Sequence, residues 1–169
     1  VYFSNDLDII VLGLDSEIAT FDLLTKIINI VSDNTDQCPF EFRQRCKMHS
    51  DRIHLLAGGR RWIYTASFDR TVCSATLDIT INKQISKHQT AVSTMSFDTL
   101  IQNLIVGDTS GVIRTFSADG MSLGPIAEGL EGSVTSLFYD QSLRLLWFVL
   151  SNGTINLIDI AHNNSFLGD

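Results

Sequence analysis

The sequence predicts an all-β protein built from β-propeller blades, and two repeats at one spacing are the main evidence. The segment AVSTMSFD, which begins at Ala91, returns as SVTSLFYD at Ser133, 42 residues later. The same step carries SGVIRTF at Ser110 onto NGTINLI at Asn152. A period of about 40–45 residues, with short β-like runs inside each unit, is typical of propeller blades.

Two further units precede these repeats. SFDRTVCSATL, which begins at Ser67, aligns with DTSGVIRTF 41 residues later, and LDSEIATFD at Leu14 has the same shape. In each unit a turn of Asp, Asn, Ser or Gly separates two apolar-alternating runs, which is the signal of a β-hairpin. The sequence therefore predicts about four propeller units, at residues 1–23, 24–78, 79–118 and 119–160, followed by a tail at 161–169.

One long insertion interrupts the repeats between residues 24 and 48. Within it, KIINIVS is predicted to be the outermost strand of the second unit, and DNTDQCPFEF is predicted to be a surface loop. The chain begins without Met and ends just after a repeat, whereas typical propellers have about 4–8 blades of four strands. We expect these units to belong to a larger, seven-bladed ring; the alternative is a compact four-bladed ring.

Composition limits the classes of partner. Apolar residues make up 44% of the chain, enough to fill a core, and the formal net charge is −7. A negative body disfavours nonspecific binding to nucleic acid or to anionic membranes. The longest apolar run, near Leu145 to Leu150, is far shorter than the roughly 20 residues of a membrane span. We expect no nucleic-acid partner and no direct membrane binding by this segment.

The sequence shows no chemistry of the usual catalytic kinds. The three cysteines (Cys38, Cys46 and Cys73) form no CxxC pair, so no disulfide framework, structural zinc or other metal site is predicted, and a reducing, cytoplasmic compartment fits best. No nucleophile elbow, zinc-binding helix or phosphate-binding loop occurs. GGRR at Gly58 lies between two predicted strands and is read as a β-turn. We therefore expect no catalytic residues and no cofactor.

The order of residues within the units resembles the WD40 repeat. A His precedes an apolar-alternating strand, and an Asp-containing hairpin follows. The resemblance implies a hydrogen-bonded structural set of His, Ser or Thr, Asp and Trp. The residues at these places are His49, Thr65 and Asp69 in the second unit, His88 and Phe116 in the third, and Asn152 in the fourth. Ala75 replaces the Trp of the second unit, and Val106 and Ser110 replace the Ser/Thr and Asp of the third.

A finer resemblance involves LGLDSEIATF, a His before a strand, and NLIVGDTSGVIRTF two units later. These are similar to the middle blades of the WD repeat and FYVE domain-containing proteins, whose zinc-binding FYVE module reads phosphatidylinositol 3-phosphate on endosomes. The cysteine pairs and the Arg-His-His-Cys stretch of that module do not occur in this sequence. The resemblance implies an endosomal setting reached through sequence not present here.

The resemblance also implies a docking surface. In WD40 proteins, partners dock mainly on the face formed by the loops before the innermost strands and by the tight turns between the second and third strands. The candidate partner-binding residues at these places are Arg52, Phe68, Arg70, Gln89, Asp108 and Thr109. Phe68 and Arg70 are the strongest, because an aromatic residue and an Arg on a rigid turn commonly anchor interfaces. For Phe68 the alternative is that its ring packs onto its own blade.

Two functions remain open from the sequence. The first is a non-catalytic scaffold or adaptor that presents a propeller face to protein or peptide partners, in endosomal trafficking or signalling. The second is a propeller hydrolase or metal-dependent enzyme with a site at the central channel. His54, on a predicted innermost strand, discriminates between them. A channel-lining His that binds a metal favours the enzyme, whereas a His packed between blades does not.

Overall fold

A computed structural model describes residues 2–4, 9–23, 40–59 and 61–160. In these residues the protein is all-β, with fifteen strands in four antiparallel sheets. No helix in this part of the chain has the length and apolar character to cross a bilayer. The predicted strand KIINIVS (26–32) and the tail at 161–169 lie outside the described residues.

Each sheet is a meander in which neighbouring strands in the chain pair antiparallel. Sheet I contains β1 (Tyr2–Ser4), β2 (Ile9–Leu14), β3 (Glu17–Leu23) and β4 (Phe40–Lys47). Sheet II contains β5 (Ile53–Gly58), β6 (Trp62–Ser67), β7 (Thr71–Thr76) and β8 (Asn82–Lys87). Sheet III contains β9 (Val92–Asp98), β10 (Asn103–Asp108), β11 (Ile113–Ser117) and β12 (Ser122–Ala127). Sheet IV contains β13 (Val134–Asp140), β14 (Leu145–Leu150) and β15 (Ile155–Asp159).

These sheets are propeller blades, which confirms the predicted fold class. The first three sheets have four strands each, as propeller blades do. The segment DNTDQCPFEF differs from its predicted loop, because its last three residues open β4, with Phe40 opposite Leu23 of β3. β4 is therefore the outermost strand of sheet I, although it lies in the same sequence unit as β5, β6 and β7. The predicted units at 79–118 and 119–160 likewise supply the outermost strand of one sheet (β8 and β12) and the first three strands of the next.

A separate apolar core fills each junction between consecutive sheets. Between sheets I and II the buried side chains are Val11, Ile18, Ile53, Ile63, Ala75 and Leu77. Between sheets II and III the core includes Tyr64, Val72, Val92, Phe97, Leu104 and Phe116. Between sheets III and IV it includes Ile105, Ile113, Val134, Leu146, Phe148 and Ile158. Because no sheet buries its faces alone, the fold is stabilised by stacking.

The far face of sheet IV is open to solvent. Phe138 and Trp147 are cross-strand partners there and are 63% and 41% exposed, and Ile155 is 69% exposed. One repeat earlier, Ile105 and Ile113 hold the places of Trp147 and Ile155, and sheet IV covers both to 2% and 0% exposure. The open face thus has the same apolar character as the face that sheet IV covers on sheet III.

Candidate docking face

One edge of the stack collects the connections that the sequence predicted to bind partners. We call it the loop face: loops 48–52, 88–91 and 128–133, together with turns 68–70, 109–112 and 151–154. Backbone hydrogen bonds join each loop to the turn beside it. The amide of Phe68 donates to the carbonyl oxygen of Arg52 at 3.1 Å, and the amide of Thr109 donates to that of Ala91 at 2.9 Å. Loops and turns therefore form one continuous surface.

A buried histidine fastens the loop to the turn in sheet II. His49 is 5% exposed, and its Nε2 lies 2.7 Å from Thr65 Oγ1. Its Nδ1 lies 2.8 Å from Thr71 Oγ1 and 3.4 Å from Asp69 Oδ2. The structure thus brings together His49, Thr65 and Asp69, the three residues that the WD40 resemblance placed in one set. Thr71 was missed, although a Thr two residues after a turn Asp is a sequence signal for such a bond.

Asp69 is fully engaged by its own turn and the adjacent loop. Its carboxylate accepts bonds from the amide and hydroxyl of Ser50, at 2.9 and 3.2 Å. It also accepts from the amide and hydroxyl of Thr71, at 2.9 and 2.6 Å. Burial acts to raise the pKa of Asp69, but these hydrogen bonds and the nearby His49 outweigh it and lower the pKa to about 2. The carboxylate is therefore ionised at neutral pH.

The arrangement of Thr65, His49 and Asp69 does not offer a nucleophile. Burial lowers the pKa of His49 by more than the neighbouring Asp69 raises it, so the imidazole is neutral at neutral pH. Thr65 is fully buried, so its hydroxyl cannot reach a substrate. The geometry is that of a structural fastening between loop and turn.

Sheet III has a similar pair of a buried histidine and a nearby acid, His88 and Asp108. His88 is 7% exposed, and its Nδ1 lies 3.7 Å from Asp108 Oδ2. Its Nε2 lies 3.0 Å from the hydroxyl of Ser86, and the ring of Phe116 meets the imidazole edge-on, with centroids 6.3 Å apart. Burial lowers the pKa of His88 despite the neighbouring Asp108. Phe116 thus lies beside the histidine, at the place that the resemblance gives to Trp.

Asp108 was expected on the docking surface, and the structure gives it a different place. It is 4% exposed, and its Oδ1 accepts bonds from the Ser110 amide at 3.0 Å, the Ser110 hydroxyl at 2.6 Å and the Val112 amide at 3.1 Å. The aligned position, Ser110, donates to this carboxylate instead of replacing it. The acid reaches into the turn from the end of β10, so it stabilises the turn and is not available to a partner.

In sheet IV an exposed amide takes the place that Asp69 has in sheet II. Asn152 Oδ1 accepts from the amide and hydroxyl of Thr154, at 3.0 and 2.8 Å. Its Nδ2 donates to the carbonyl oxygen of Glu131, in the loop before β13, at 2.8 Å. Asn152 therefore links loop and turn as expected, but at the surface.

Phe68 is both packed on its own sheet and accessible. Its ring stacks on His54 of β5, with centroids 4.3 Å apart and an angle of 18° between the planes. The guanidinium of Arg52 lies 5.2 Å from the Phe68 centroid. The residue nevertheless remains 46% exposed. The ring thus packs on its own blade, as the second alternative predicted, and nearly half of the residue stays accessible to a partner.

The other exposed candidates lie on the same loop face. Arg70 is exposed, has a left-handed backbone (φ +67°), and donates from Nη1 to the carbonyl oxygen of Gln89 at 3.2 Å. Gln89 and Thr109 are also exposed. The carbonyl oxygen of Thr109 accepts from Ser133 at 2.8 Å, which ties the third turn to the next loop. Arg52, Phe68, Arg70 and Gln89 form one cluster, and Thr109 belongs to the neighbouring turn.

His54 packs between sheets II and III. Its Nε2–H donates to the carbonyl oxygen of Val92 in β9 at 2.7 Å, while Nδ1 is buried without a hydrogen-bond partner. It borders an open cleft of about 310 Å³ that is also lined by Gly13, Ile53, Leu55 and Leu56. Within the described ranges, no group of three or more His, Cys, Asp or Glu side chains could hold a metal ion.

Comparisons with known proteins bear on the fold. No family model and no curated protein matches the chain. Among solved structures it is similar to the computationally designed Ika4 protein, with a TM-score of 0.73 and 19% identity over 94% of this chain and 88% of that one. It is also similar to the computationally designed Ika8 protein, with a TM-score of 0.74 and 19% identity over 98% of this chain and 46% of that one. A third similar structure is Sqt1 from Chaetomium thermophilum, with a TM-score of 0.75 and 15% identity over 96% of this chain and 43% of that one. The chain thus spans less than half of the latter two, and at these identities the likeness shows the fold alone.

Proposed function

We propose that the protein is a non-catalytic scaffold that presents its loop face to protein or peptide partners. The observation that carries this proposal is the turn at 68–70, where Phe68 and Arg70 are exposed on a backbone held by the buried His49 network. Aromatic and Arg side chains on a preorganised support bind with little loss of conformational entropy.

The use of the polar side chains supports the same proposal. The buried histidines and acids of the loop face form hydrogen bonds that join loops to turns. The side chains that remain exposed there are better suited to binding a partner than to catalysis. A partner surface needs only that these exposed groups be fixed in place.

The alternative of an enzyme at the central channel receives less support from His54. Its Nε2–H is committed to a backbone carbonyl of the next sheet, and its ring is covered by Phe68. A general base or metal ligand needs a ring nitrogen directed at the reacting group. The buried Nδ1 of His54 has no such outlet, which favours packing over catalysis.

A cytoplasmic, endosome-associated role in trafficking or signalling is the finer part of the proposal. Its support is the resemblance to the WD repeat and FYVE domain-containing proteins. Endosome targeting would then depend on a FYVE module outside this sequence, and the segment itself would contribute protein contacts.

The double variant Phe68→Ala/Arg70→Gly tests the scaffold function. A matched control is Leu100→Ala/Arg144→Gly on the opposite edge, since Leu100 is 71% exposed and Arg144 also has a left-handed backbone (φ +57°). We expect quantitative mass spectrometry of proteins co-isolated from cells to show loss of partners for the first variant and retention for the control, with both melting temperatures close to that of the parent. Equal recovery of partners with all three proteins would sink the proposal.

A further inference from the structure

Charge is distributed very unevenly along this acidic chain. Residues 40–91 hold nine Lys and Arg against four Asp and Glu. Residues 92–160 hold two Lys and Arg against seven Asp and Glu. The first stretch covers β4, sheet II and the loops beside it, so a positive region lies within a protein whose formal net charge is −7.

Four exposed cations surround the turn that carries Phe68: Lys47, Arg52, Arg70 and Lys87. The carbonyl oxygen of Arg52 accepts from the Phe68 amide, and that of Arg70 accepts from the His88 amide at 2.8 Å, next to Lys87. Lys47 and Lys87 line one open cleft of about 460 Å³ beside the turn. We call these four side chains together with Phe68 the basic turn.

The nearby carboxylates offset only part of the charge of the basic turn. Asp69 accepts from Ser50 and Thr71 and lines the same cleft as Lys47 and Lys87, and Asp51 Oδ1 accepts from the Arg52 amide at 2.6 Å. These donors are neutral, so the bonds do not cancel the charge of the acids, but the four cations outnumber them. Among the described residues, neither the Arg52 nor the Arg70 guanidinium forms an ion pair with a carboxylate. Their charge is therefore available to an external anion, at a surface where Coulomb attraction is stronger than in bulk water.

Arg70 holds its charge at a position that favours glycine. The same place in the next two turns is occupied by Gly111 and Gly153, with φ of +77° and +88°. A side chain in this left-handed region costs about 1 kcal/mol. Arg70 therefore places a guanidinium in its turn at a position where the next two turns have no side chain.

Phe68 supplies an apolar surface next to the Arg52 guanidinium, in the same turn as Arg70. Its ring is fixed from below by His54 and beside Arg52, yet 46% of the residue is exposed. A ligand that carries both carboxylates and an apolar side chain would satisfy the charge of the arginines and cover the ring.

We propose that the basic turn binds an acidic segment of a partner protein, whose carboxylates pair with Arg52 and Arg70 and whose apolar side chain packs on Phe68. The inference rests on the proposed scaffold function and names the chemistry of the partner at that face. Carboxylate pairing sets specificity and association rate, and the aromatic contact slows dissociation.

Three fluorescein-labelled peptides test the inference by fluorescence anisotropy with the 169-residue chain: DEELFEED, DEEAAEED and KKKLFKKK. We expect the first to bind best, the second to bind about tenfold more weakly, and the third not to bind. Raising the salt from about 50 to about 300 mM should weaken the first several-fold, because the pairs are exposed and are screened.

Single variants locate the binding. Arg70→Gly and Arg52→Ala should each weaken DEELFEED about fivefold. Arg61→Ala is the matched control, since Arg61 lies over Trp62 at 6.0 Å in the loop between β5 and β6, on the opposite edge of sheet II. It should leave binding unchanged. An equal loss with Arg61→Ala, or no loss with Arg70→Gly, would overturn the inference.

The peptides also separate this inference from the scaffold function. Binding of KKKLFKKK that Arg70→Gly or Phe68→Ala abolishes would overturn the acidic partner and leave the loop face as a docking surface. If no peptide binds but Phe68→Ala/Arg70→Gly loses its partners in the cell experiment, the acidic partner is likewise overturned and the loop face remains a docking surface. No binding combined with unchanged partner recovery would overturn both.

Discussion

Sheet II and sheet IV derive from one repeat, yet they hold the loop face together in opposite ways. Sheet II uses the buried neutral His49, whose bonds to Thr65 and Thr71 are shielded from water, together with the partly buried, ionised Asp69. Sheet IV uses the exposed amide of Asn152 and leaves its far face, including Ile155, open to solvent. The comparison teaches that hydrogen bonds which stabilise the same loop and turn can carry very different energy, because burial decides what is lost when a partner is removed.

The largest difference concerns one residue type at one repeat position. Ile113 is fully buried between sheets III and IV, whereas Ile155, 42 residues later, is 69% exposed. We expect Ile113→Ala to lower the free energy of unfolding by about 3 kcal/mol, because it leaves a cavity, and Ile155→Ala to change it by less than about 0.5 kcal/mol. Urea denaturation measures both, and comparable losses would show that the face of sheet IV is covered in solution.

The second largest difference in stability should be between the loss of His49 in sheet II and the loss of Asn152 in sheet IV. His49→Ala removes the partner of two buried hydroxyls, so we expect a loss of about 2–3 kcal/mol. Asn152→Ala exposes its former partners to water and should cost about 0.5–1 kcal/mol. The same denaturation experiment gives both values. If Asn152→Ala proved the more damaging change, burial would not be the deciding factor.

Acid should destabilise the folded chain through its two buried histidines. Burial lowers the pKa of His49 and His88 in the folded chain, so the unfolded chain binds more protons as the pH falls below about 6.5. Stability is therefore fully present above that pH and is lost as the pH falls toward the lowered pKa, by about 1.4 kcal/mol for each pKa unit of separation.

Unfolding free energies at pH 7.5 and 5.5 measure this slope, and His49→Gln/His88→Gln should flatten it. The Asn152→Ala variant is the control, because an amide does not titrate in this range. A slope that stays unchanged in the double histidine variant would contradict the assignment of the acid sensitivity to these two residues.

The smallest effect concerns the backbone of the turns. Arg70→Gly relieves a left-handed non-glycine residue and should raise the free energy of unfolding by up to about 1 kcal/mol, less the lost bond to Gln89. Gly153→Ala imposes the reverse change, and we expect a loss of about 1 kcal/mol. Thermal unfolding of the pair gives both signs. A loss of stability in Arg70→Gly would mean that its side-chain bond outweighs the strain.

The sequence was sufficient for the architecture because each blade repeats the alternation of its strands. It also predicted the association of His49, Thr65 and Asp69, through the family resemblance. It misplaced Asp108, because alignment by repeat set Ser110 opposite Asp69, whereas the carboxylate enters that turn from two residues earlier. The aromatic stack of His54 and Phe68 required side-chain positions, since nothing in the spacing of two residues on different strands specifies that their rings meet.

The outermost strand of a sheet comes from the sequence unit that follows it, and this determines what happens when such a chain gains or loses a unit. The strand β8 lies in the sequence unit of β9, β10 and β11, and β12 lies in the unit of the sheet that follows. Excision of residues 79–118 would therefore bring β12 beside β7, in the place that β8 vacates. Every remaining sheet would keep its number of strands. A gene that gains or loses one repeat by unequal recombination thus adds or removes one complete blade without leaving an unpaired strand edge.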